Sequence, residues 1–313
     1  YIGSHVVAEL AAAGYNVIVL DNLTEGHREA VTVPLVCADI SDTAAVSQIF
    51  EQNEIAAVMH FSAFINVGES VTNPEKYYRN NFGATLNLLS CMLKYNVKNF
   101  IFSSTCAIYG SPQYIPLDEK HPYAPINPYG VSKLMVERVL QDYSSVYNLN
   151  YAALRYFNAA GAMPDGSLGE SHNIETHVIP LILKTLTGER QNIHIFGTDY
   201  DTPDGTCIRD YIHVCDLAKI HRLALERLLS KDESFCVNVG TGIGHSVKEV
   251  VSACEEVTGK TVPVVYADRR PGDPAVLVAS NEYAKNLLGF RPEYTDIRDI
   301  IQTAWHWEQN RRY

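Results

Sequence analysis

The sequence contains no apolar run long enough to cross a membrane. Nowhere in its 313 residues do apolar residues approach the roughly 18 in succession that a spanning helix requires. The opening segment, YIGSHVVAEL, has no basic residues ahead of its apolar part, and Glu9 comes early, so it is not typical of a secretory signal. We therefore expect a cytoplasmic protein with no membrane partner.

Cysteine is scarce, and its placement gives no sign of pairing. The seven cysteines are odd in number, are scattered along the chain and form no C-x-x-C pair. This usage is typical of reduced thiols rather than of a disulfide framework. The eleven histidines form no metal-ligand pattern with the cysteines, so we expect no metal site.

Positive charge is in deficit. There are 25 lysines and arginines against 36 aspartates and glutamates, which gives a formal net charge of −11. Phosphate contacts with a nucleic acid need clustered lysine and arginine, so we expect no nucleic-acid partner, although a few buried arginines could still hold a small anionic ligand. With 46% hydrophobic and only 19% charged residues, the chain can form a core and is not intrinsically disordered.

Strand-like and helix-like segments alternate through the first half of the chain. The strand-like segments are short apolar or β-branched runs, at 15–21, 33–40, 55–61, 99–104 and 151–157. Helical patterns lie between them, the longest at 74–95 and 128–143. This alternation predicts βαβ units, and hence an α/β fold with a Rossmann-type, doubly wound parallel sheet that has helices on both faces.

The pattern loosens after Asn158, where a long loop rich in glycine, proline and serine begins. Loops of this length in compact domains are usually functional. A smaller mixed region of helices and strands follows the loop. We therefore predict a cofactor-binding domain over residues 1–158 and a smaller C-terminal mixed α/β substrate domain over residues 159–313.

The N-terminal region has the order of a dinucleotide-binding unit. Such a unit runs strand, glycine-rich turn, helix, strand and then an acidic residue that binds the ribose hydroxyls. Gly3 opens a helical pattern, and Asp21 ends the next strand 18 residues later, close to the expected spacing. Asp21 would favour NAD over NADP because a carboxylate repels the 2′-phosphate. Its alternative role is that of a turn residue in the segment DNLT.

Gly3 fits the last glycine of a G-x-G-x-x-G fingerprint, whose first strand and glycine-rich turn are missing from the sequence. Without that strand the sheet would lack a central member, and without the turn it would lack the place where a pyrophosphate meets the helix N-terminus. We expect about ten further residues ahead of Tyr1, enough for one strand and a tight turn.

Further cofactor contacts are expected at the carboxyl ends of the later strands, where sheets of this kind bind their ligands. These positions are Asp39, Ile40, Phe61, Ala63 and Ser103. Asp39 could instead cap a helix, but Ser41 and Asp42 are better placed to do so. Asn80 joins the candidates because asparagine is unfavourable inside a helix such as the one predicted there.

Tyr129 and Lys133 stand four residues apart at the start of a predicted helix, and therefore on one face of it. A tyrosine, with a reference pKa of about 10, needs its anion stabilised to act as a base at neutral pH. A nearby ammonium group and an oxidised nicotinamide ring would supply that stabilisation. Most Y-x-x-x-K pairs are surface residues, but here Ser103 and Thr105 follow an apolar strand upstream, as a hydroxyl donor to the same substrate oxygen would require.

Several segments together resemble one known family. They are YIGSH (1–5), DN (21–22), VGESV (67–71), SSTCAIYG (103–110), NPYGVSK (127–133), LRYFNAAGA (154–162), GTDYDTPDGTCIRDYIHV (197–214) and RRPGD (269–273). The chain resembles the extended short-chain dehydrogenase/reductase family, and within it the epimerases of nucleotide sugars. The segment at 197–214 is the most specific because it lies in the substrate half rather than in the shared cofactor half.

The resemblance implies a role for each matching residue. Tyr129 would be the catalytic base, Lys133 the residue that lowers the pKa of Tyr129 and binds the nicotinamide ribose, and Thr105 the hydroxyl that hydrogen-bonds the sugar O4. The cofactor NAD would also be bound by Tyr1, Ile2, Gly3, Asn22, Tyr156 and Phe157. Besides Thr105 and Tyr129, the UDP-hexose would be bound by Asn158, His177, Val178, His194, Phe196, Arg209, Val247, Arg270, Asp273 and Leu277.

The two arginines also make chemical sense without the resemblance. A guanidinium group can bind a pyrophosphate through two hydrogen bonds at once, which suits both Arg209 and Arg270. The alternative for Arg209 is a structural ion pair, for instance with Asp210 or Asp216.

The activity that the resemblance implies is reversible, NAD-dependent epimerisation at C4 of UDP-hexoses through a transient 4-keto sugar. It also implies a homodimer in which the helical segments 74–95 and 128–148 pair across a two-fold axis. The alternative is that the apolar faces of these segments only cover the sheet.

Other activities remain open on the same scaffold. A nucleotide-sugar 4,6-dehydratase places Asp-Glu directly after the hydroxyl residue, where this chain has Cys106 and Ala107. A catalytically silent NAD-binding protein would be expected to lose the Tyr–Lys pair, which this chain keeps. A net dehydrogenase of nucleotide sugars would release NADH, whereas an epimerase would release almost none.

Three positions depart from the family's pattern. Ile65 stands where many relatives have a lysine that contacts the cofactor phosphates, so one charged contact is missing. His177 occupies a position often held by asparagine, and both side chains can donate a hydrogen bond. Leu277 falls at the position that gates the hexose pocket, where a tyrosine excludes N-acetylated sugars and a small residue admits them. Leucine is intermediate and leaves the acceptance of UDP-N-acetylhexosamines open.

Overall fold

The computed structural model describes residues 1–270 and 272–313, and its first half follows the predicted alternation of strands and helices. The elements are α1 (Ile2–Ala12), β1 (Val19–Asp21), β2 (Leu35–Cys37), α2 (Thr43–Gln52), β3 (Val58–His60), α3 (Val67–Thr72), α4 (Pro74–Tyr77), a π-helical segment (Tyr78–Ala84), α5 (Thr85–Lys94), β4 (Asn99–Thr105), α6 (Pro128–Tyr147) and β5 (Asn150–Tyr156). The predicted helix over 74–95 is therefore helical throughout, but a π-helical segment interrupts its α-helical geometry.

The second half is built of shorter elements. They are β6 (Asn158–Ala160), α7 (Val178–Leu186), β7 (Ile193–Phe196), β8 (Ile208–His213), α8 (Val214–Lys231), β9 (Phe235–Val239), β10 (Gly244–Ser246), α9 (Val247–Thr258), β11 (Val264–Ala267), β12 (Val276–Leu277), α10 (Glu282–Leu288) and α11 (Ile297–Gln309). Between β6 and α7 the chain forms the long loop that its composition predicts.

Local sequence explains where several helices begin. The carboxylate of Asp42 accepts the backbone N–H groups of Ala44 and Ala45 at the start of α2, which is the capping role expected for it. Asn127 caps α6 in the same way, and Pro128 occupies the first turn of that helix, where no N–H group is needed. These caps satisfy backbone donors that the helix itself leaves unpaired.

The central sheet runs parallel in the strand order β3–β4–β5–β9, and β1 and β2 form a separate parallel pair. Strands β4 and β5 are paired along their whole length, from Asn99 opposite Asn150 to Thr105 opposite Tyr156. Their residues beyond the first are buried, as expected of parallel strands that have helices on both faces. The parallel order brings the carboxyl ends of the strands to one edge of the sheet.

The sheet crosses the domain boundary that the sequence predicts after Asn158. Strand β9 pairs in parallel with β5, and α8 packs against α1. Leu217, Ile220 and Leu228 of α8 belong to the same buried core as Ile101 of β4. A parallel neighbour for β5 requires a crossover helix, so 214–239 belongs to the cofactor-side layer although it lies in the C-terminal half. The central sheet and its core therefore contain residues from both sides of the predicted boundary.

The remaining elements form a second layer. Strand β8 lies between β10, which is antiparallel to it, and β12, which is parallel, while β6 also pairs with β8 and β7 pairs with β11. A second core, with side chains from α7, α9 and α11, fills the space beside these strands. This layer holds β8 close to the carboxyl edge of the central sheet.

A buried ion pair joins the helix of the catalytic candidates to the sheet. Arg155 of β5 and Glu137 of α6 are both 1% exposed, and their nearest charged atoms lie 2.7 Å apart. Glu137 also accepts the hydroxyl of Ser104 at 2.5 Å, and Arg155 donates to the hydroxyls of Tyr109 and Tyr123. Buried charges are tolerated when they are paired and hydrogen-bonded in this way. The network fixes α6 against β4 and β5.

The sequence predicts no membrane-spanning helix and no disulfide framework, and both expectations can be compared with the described residues. Over 1–270 and 272–313, no helix combines the length and the apolar character needed to cross a membrane. All seven cysteines are free thiols. The second finding agrees with their scattered placement in the sequence.

Candidate active site

A cleft at the carboxyl ends of the first strands brings together nearly half of the predicted cofactor residues. Its walls come from the loops that follow β1, β2 and β3 and from the π-helical segment. Among the residues that line it are seven sequence candidates: Asp21, Asn22, Asp39, Ile40, Phe61, Ala63 and Asn80. The sequence did not single out the other residues of the lining, Leu20, Thr24, Glu25, Gly26, Ala38, Ser62 and Phe64.

Hydrogen bonds fix the carboxylates of this cleft. Asp21 accepts the backbone N–H of Leu23 at 2.7 Å. Asp39 accepts the Asn22 amide at 2.7 Å, and also the backbone N–H and the hydroxyl of Ser41. The hydrogen bonds from Ser41, joined by that from Asn22, outweigh partial burial and lower the pKa of Asp39. Asp39 therefore organises the rim of the cleft, while Asp42 caps the helix.

The π-helical segment places two asparagines beside the loop after β3. Asn80 donates to the Asn81 side chain at 3.0 Å and to the Ser62 carbonyl at 3.5 Å. Asn81, which is fully buried, accepts the N–H of Phe64 and donates to its carbonyl, both at 2.9 Å. Its amide also reaches the hydroxyl of Ser132 on α6 at 3.3 Å. Asn81 is the main anchor of this wall, and the sequence predicted only its neighbour.

The first residues of the chain lie beside the same loops. A Cβ atom on Gly3 would stand 3.5 Å from the Phe61 side chain, so α1 and the loop after β3 are in contact there. Ile2 begins α1, and Tyr1 precedes it. The hydroxyl of Tyr1 donates to the carbonyl of Gly161 at 2.7 Å, so this side chain binds the long loop.

Tyr129 and Lys133 both lie in the first turns of α6, as predicted; Lys133 is buried, and Tyr129 is half-buried. The Lys133 ammonium group donates to the carbonyl of Ser103 at 2.7 Å and lies 4.9 Å from the centre of the Phe102 ring. Ser103 and Thr105 close the end of β4 directly below them. The structure therefore brings the tyrosine, the lysine and the hydroxyl residue to one place.

Close packing between α6 and the segment after β4 requires a glycine at position 130. A Cβ atom there would lie 2.7 Å from the carbonyl oxygen of Ala107, closer than real Cβ contacts come. The glycine lets the first turn of α6 approach this backbone, and so brings Tyr129 towards Thr105. The segment NPYGVSK thus contains the helix cap Asn127 and the close-packed Gly130. It also contains the two functional side chains, Tyr129 and Lys133.

Burial controls the ionisation of both groups. It raises the pKa of Tyr129 to about 12, and a hydrogen bond with Thr105 acts in the opposite direction. It lowers the pKa of Lys133 to about 7. Because the hydrogen bonds of Lys133 go to Ser103, the phenol is not activated by the chain alone and is protonated at neutral pH. Activation requires a further positive charge at this place, which an oxidised nicotinamide ring would supply.

The residues predicted after β5 have separate surroundings. The hydroxyl of Tyr156 lies 2.5 Å from the Nε2 atom of His221, deep in the core on the α8 side. Phe157 packs in a small apolar cluster with Cys106, and Leu277 packs against the same cluster. Tyr156 therefore supports the sheet, whereas Phe157 and Leu277 form an apolar wall near Thr105.

The ion-pair partner of Arg209 is not one of those predicted. Arg209, on β8, pairs with Asp273 and donates to the carbonyl of Ile208 at 2.8 Å. Asp210 instead accepts backbone N–H groups of Thr241, Gly242 and Ala279, and Asp216 accepts those of Glu293 and Tyr294. Both carboxylates are occupied by backbone donors, so the pairing of Arg209 with either is wrong. Two substrate candidates, Arg209 and Asp273, are in contact.

A second group of substrate candidates forms around β7. The guanidinium carbon of Arg270 lies 3.9 Å from the centre of the Phe196 ring, and the rings of His194 and Phe196 are stacked with centres 6.1 Å apart. An aromatic face and a cation at this distance attract each other. The pair presents one apolar and one charged surface, a combination that suits a base next to a phosphate.

Three further candidates lie on or beside β8. Asn158 donates to the carbonyl of Asp210 at 2.9 Å, Leu277 stands opposite Arg209 in the β12–β8 register, and the N–H of Val247 donates to the carbonyl of Cys207. Leu277 also packs against the apolar cluster that contains Cys106, the residue after Thr105. It therefore links the β8 group to the end of β4, where Thr105 lies.

His177 contacts a separate group of residues, away from the β8 group. It precedes Val178 at the start of α7, and its Nδ1 atom lies 2.9 Å from Glu170 and 2.8 Å from Glu175. Burial alone would raise the pKa of Glu170, but the charge and hydrogen bonds of His177 and His172 lower it to about 2. Among the described residues, the recorded polar contacts of His177 are with this cluster rather than with Arg209.

Sequence reasoning missed the polar residues that position the site. Asn81, Glu137, Arg155 and Asp210 are all buried and hydrogen-bonded, but none belongs to a motif that names a role. A signal exists for two of them, since Arg155 and Asp210 interrupt apolar strand patterns. A buried charge in such a run needs a partner.

The residues present fit a dinucleotide. The cleft has a fixed carboxylate at the end of β1, as ribose hydroxyls require. The loop after β3 lines the cleft, and β3 pairs with β4, at whose end Lys133 binds Ser103. Ile65, which stands at the expected lysine position, is 43% exposed and supplies no charge there.

The buried lysine predicts a specific pH dependence of stability. With a pKa of about 7 in the folded cofactor-free chain and an ordinary pKa near 10.5 when unfolded, Lys133 destabilises the fold fully below pH 7. As the pH rises from 7 towards 10.5 the folded chain releases this proton first, so its stability gains up to about 1.4 kcal/mol per pH unit. Lys133→Met should remove this gain, and its advantage over wild type should shrink between pH 7 and pH 10.

Urea denaturation of the cofactor-free protein at several pH values measures this difference. The exposed Lys98→Met is the matched control and should follow wild type throughout. A difference between Lys133→Met and wild type that stays constant with pH would contradict the burial argument.

Comparisons with known proteins agree with this geometry. Residues 1–240 match the family described as the NAD dependent epimerase/dehydratase family. A UDP-glucose 4-epimerase of Lacticaseibacillus casei is 47% identical over 312 residues, 99% of this chain and 94% of the relative.

Two solved structures extend the similarity to the fold. The UDP-glucose 4-epimerase from Brucella ovis in complex with NAD is 47% identical, with a TM-score of 0.96 over 98% of this chain and 95% of that one. The enzyme from Bifidobacterium longum in complex with NAD⁺ and UDP is 39% identical, with a TM-score of 0.95 over 99% and 96%. The chain belongs to the NAD-dependent epimerase/dehydratase family.

Proposed function

We propose that the protein is a UDP-glucose 4-epimerase, which interconverts UDP-galactose and UDP-glucose with bound NAD. The observation that carries the proposal is the placement of Tyr129 and the buried Lys133 beside the end of β4, with Leu277 between the Cys106 cluster and Arg209. The names of the relatives point to the same reaction.

The cofactor would be held along the edge of the central sheet. Asp21 would bind the adenosine ribose, Asp39 and Ile40 would border the adenine end, and Ser103 with Lys133 would lie at the nicotinamide end. When bound, NAD⁺ supplies the hydride acceptor for C4 of the sugar and returns the same hydride. Because the cofactor is regenerated in each cycle, it has no need to leave.

Tyr129 would take the proton from the sugar O4 and later give it back. A base must lie within hydrogen-bond reach of the proton it removes, and Thr105, in contact with Tyr129, can orient the same oxygen. Lys133 holds its position through Ser103 and would donate to the nicotinamide ribose. The buried surroundings exclude water, so the 4-keto sugar is protected while the proton stays on Tyr129.

The UDP moiety would remain anchored while the sugar turns over. Arg209 and Arg270 would bind the pyrophosphate, and Phe196 offers an aromatic face to the uracil. Asp273 orients Arg209. The sugar would face the apolar wall with Leu277, which forms no fixed hydrogen bond to it. Few directional contacts to the hexose allow either face of C4 to meet the hydride.

The competing activities lack support from this site. A 4,6-dehydratase needs an acid and a base next to C5 and C6, but the residues after Thr105 are Cys106 and Ala107. Burial raises the pKa of the Cys106 thiol to about 12, so it is not a base at neutral pH. A protein that only binds NAD would have no need to bury the Lys133 ammonium group, whose burial is unfavourable for stability.

The first test of the proposed function is Tyr129→Phe. Removal of a catalytic proton acceptor should lower kcat for UDP-galactose about 10²- to 10⁴-fold while bound NAD is retained. Tyr143→Phe, on the same helix but in the core away from the cleft, should stay near wild type. A coupled assay for UDP-glucose measures activity, and release of NAD on denaturation measures occupancy. Near-normal turnover by Tyr129→Phe would refute the assignment of the base.

The size of the Leu277 side chain bears on which UDP-sugars the enzyme accepts. We propose that leucine leaves room for an N-acetyl group and that UDP-N-acetylgalactosamine is also accepted. Leu277→Tyr should selectively remove activity on the acetylated sugar, because the larger ring fills the wall beside Phe157. Parallel assays on the two substrates measure the ratio of their kcat/KM values, with Leu277→Met as a size-matched control. An unchanged ratio in Leu277→Tyr would rule out this gate.

We also propose that the enzyme works as a homodimer in the cytoplasm. Helices α5 and α6 pack together and keep partly exposed apolar side chains, among them Leu86, Leu93 and Met135. The seven free thiols suit a reducing compartment. Light scattering during gel filtration should give the mass of two chains, and cell fractionation should find the protein in the cytosol. A one-chain mass at micromolar concentration would contradict the dimer.

A further inference from the structure

A histidine and carboxylate cluster lies in the long loop ahead of α7, outside the machinery proposed above except for His177. Glu170, His172, Glu175 and His177 each offer one potential ligand atom, and these four atoms all lie within 4.8 Å of one another. Their spacing along the chain is E-x-H-x-x-E-x-H. The pattern contains no cysteine, so it differs from the histidine and cysteine arrangements that are typical of structural zinc sites.

The four side chains converge on one point. Glu170 Oε1 lies 2.9 Å from His177 Nδ1 and 3.1 Å from His172 Nε2, and Glu175 Oε1 lies 2.8 Å from the same His177 atom. Four ligands of a tetrahedral zinc ion, each at about 2.1 Å, are about 3.4 Å apart. The three recorded distances are slightly shorter than this and no pair exceeds 4.8 Å, so small side-chain shifts would admit the ion.

Burial and charge make this point suitable for a cation. The side chains of Glu170 and Glu175 are only 6% and 4% exposed. Over the described residues their side-chain ion pairs are with His172 and His177. Buried charges are normally paired or coordinate a metal ion. In the metal-free cluster the His177 imidazole pairs with both carboxylates. A metal ion binds neutral imidazoles, so it would replace the proton of His177 and balance the two carboxylate charges.

The surroundings hold the ligands in place. The indole N–H of Trp307 on α11 donates to the carbonyl of Glu170 at 2.9 Å. Glu175 accepts the backbone N–H groups of Thr176 and His177, both at 2.7 Å. Such supporting hydrogen bonds orient metal ligands and are as important as the ligands themselves.

We propose that Glu170, His172, Glu175 and His177 form a structural site for a divalent transition-metal ion, with zinc as the preferred ion. Two imidazoles and two carboxylates complete a four-ligand shell, as in closed structural sites, and leave no open position for catalysis. Manganese and cobalt(II) would bind more weakly to the same nitrogen and oxygen atoms. The ion would tie the long loop to the start of α7, and the Trp307 hydrogen bond already joins that loop to α11.

Zinc titration of the chelator-treated protein tests the proposal directly. Competition with a chromophoric chelator should give one equivalent of zinc per chain for wild type, and the affinity should fall about tenfold or more in both His172→Ala and Glu175→Gln. The matched control is His306→Asn, an exposed histidine beside the same loop near Gly166, which should bind like wild type. Near-UV circular dichroism checks that each variant is folded.

Two results would overturn the site. One is wild-type protein that binds no stoichiometric zinc at micromolar free metal, which would leave only a hydrogen-bonded cluster. The other is unchanged affinity in both ligand variants. If the variants fail to fold, cobalt(II) bound to wild type decides: a tetrahedral spectrum without sulfur charge-transfer bands supports the site, and sulfur bands would assign the metal to cysteine instead.

Discussion

The active site depends on burying an ammonium group without a carboxylate partner beside it. Lys133 is enclosed between α6 and the end of β4, and its hydrogen bonds go to Ser103. Burial disfavours the charged form, and it disfavours the phenolate of Tyr129 as well. Such a pair lowers the stability of the free chain. It becomes able to take a proton from a substrate hydroxyl only when the positive charge of a cofactor lies beside it. The rest of the fold supplies the rigidity that holds it.

That rigidity comes from a second, fully compensated charge pair. Arg155 and Glu137 tie α6 to the two central strands, and Ser104 and Tyr109 complete their hydrogen bonds. The contrast between the two sites follows from their roles. A structural charge is satisfied inside the protein, whereas Lys133 is left to meet a ligand.

Sequence periodicity located most of the elements, because buried parallel strands and amphipathic helices leave local patterns. It also found the cleft residues, because candidates at the carboxyl ends of parallel strands, such as Asp21 and Phe61, meet at one sheet edge. It failed where partners are distant in sequence. Asn81 and Asp210 act on loops far along the chain, and the pairing of β9 with β5 placed 214–239 in the first layer.

The sequence by itself determined the α/β class, the family and the reacting pair, Tyr129 and Lys133. Each of these follows from local patterns or from short segments such as NPYGVSK. Only the tertiary structure decided which charges are paired. It joined Arg209 to Asp273 instead of to its neighbour Asp210, and it gathered Glu170 and His177 into one cluster. Ion pairs depend on distance in space and on burial, and neither quantity can be read from the order of residues along a chain.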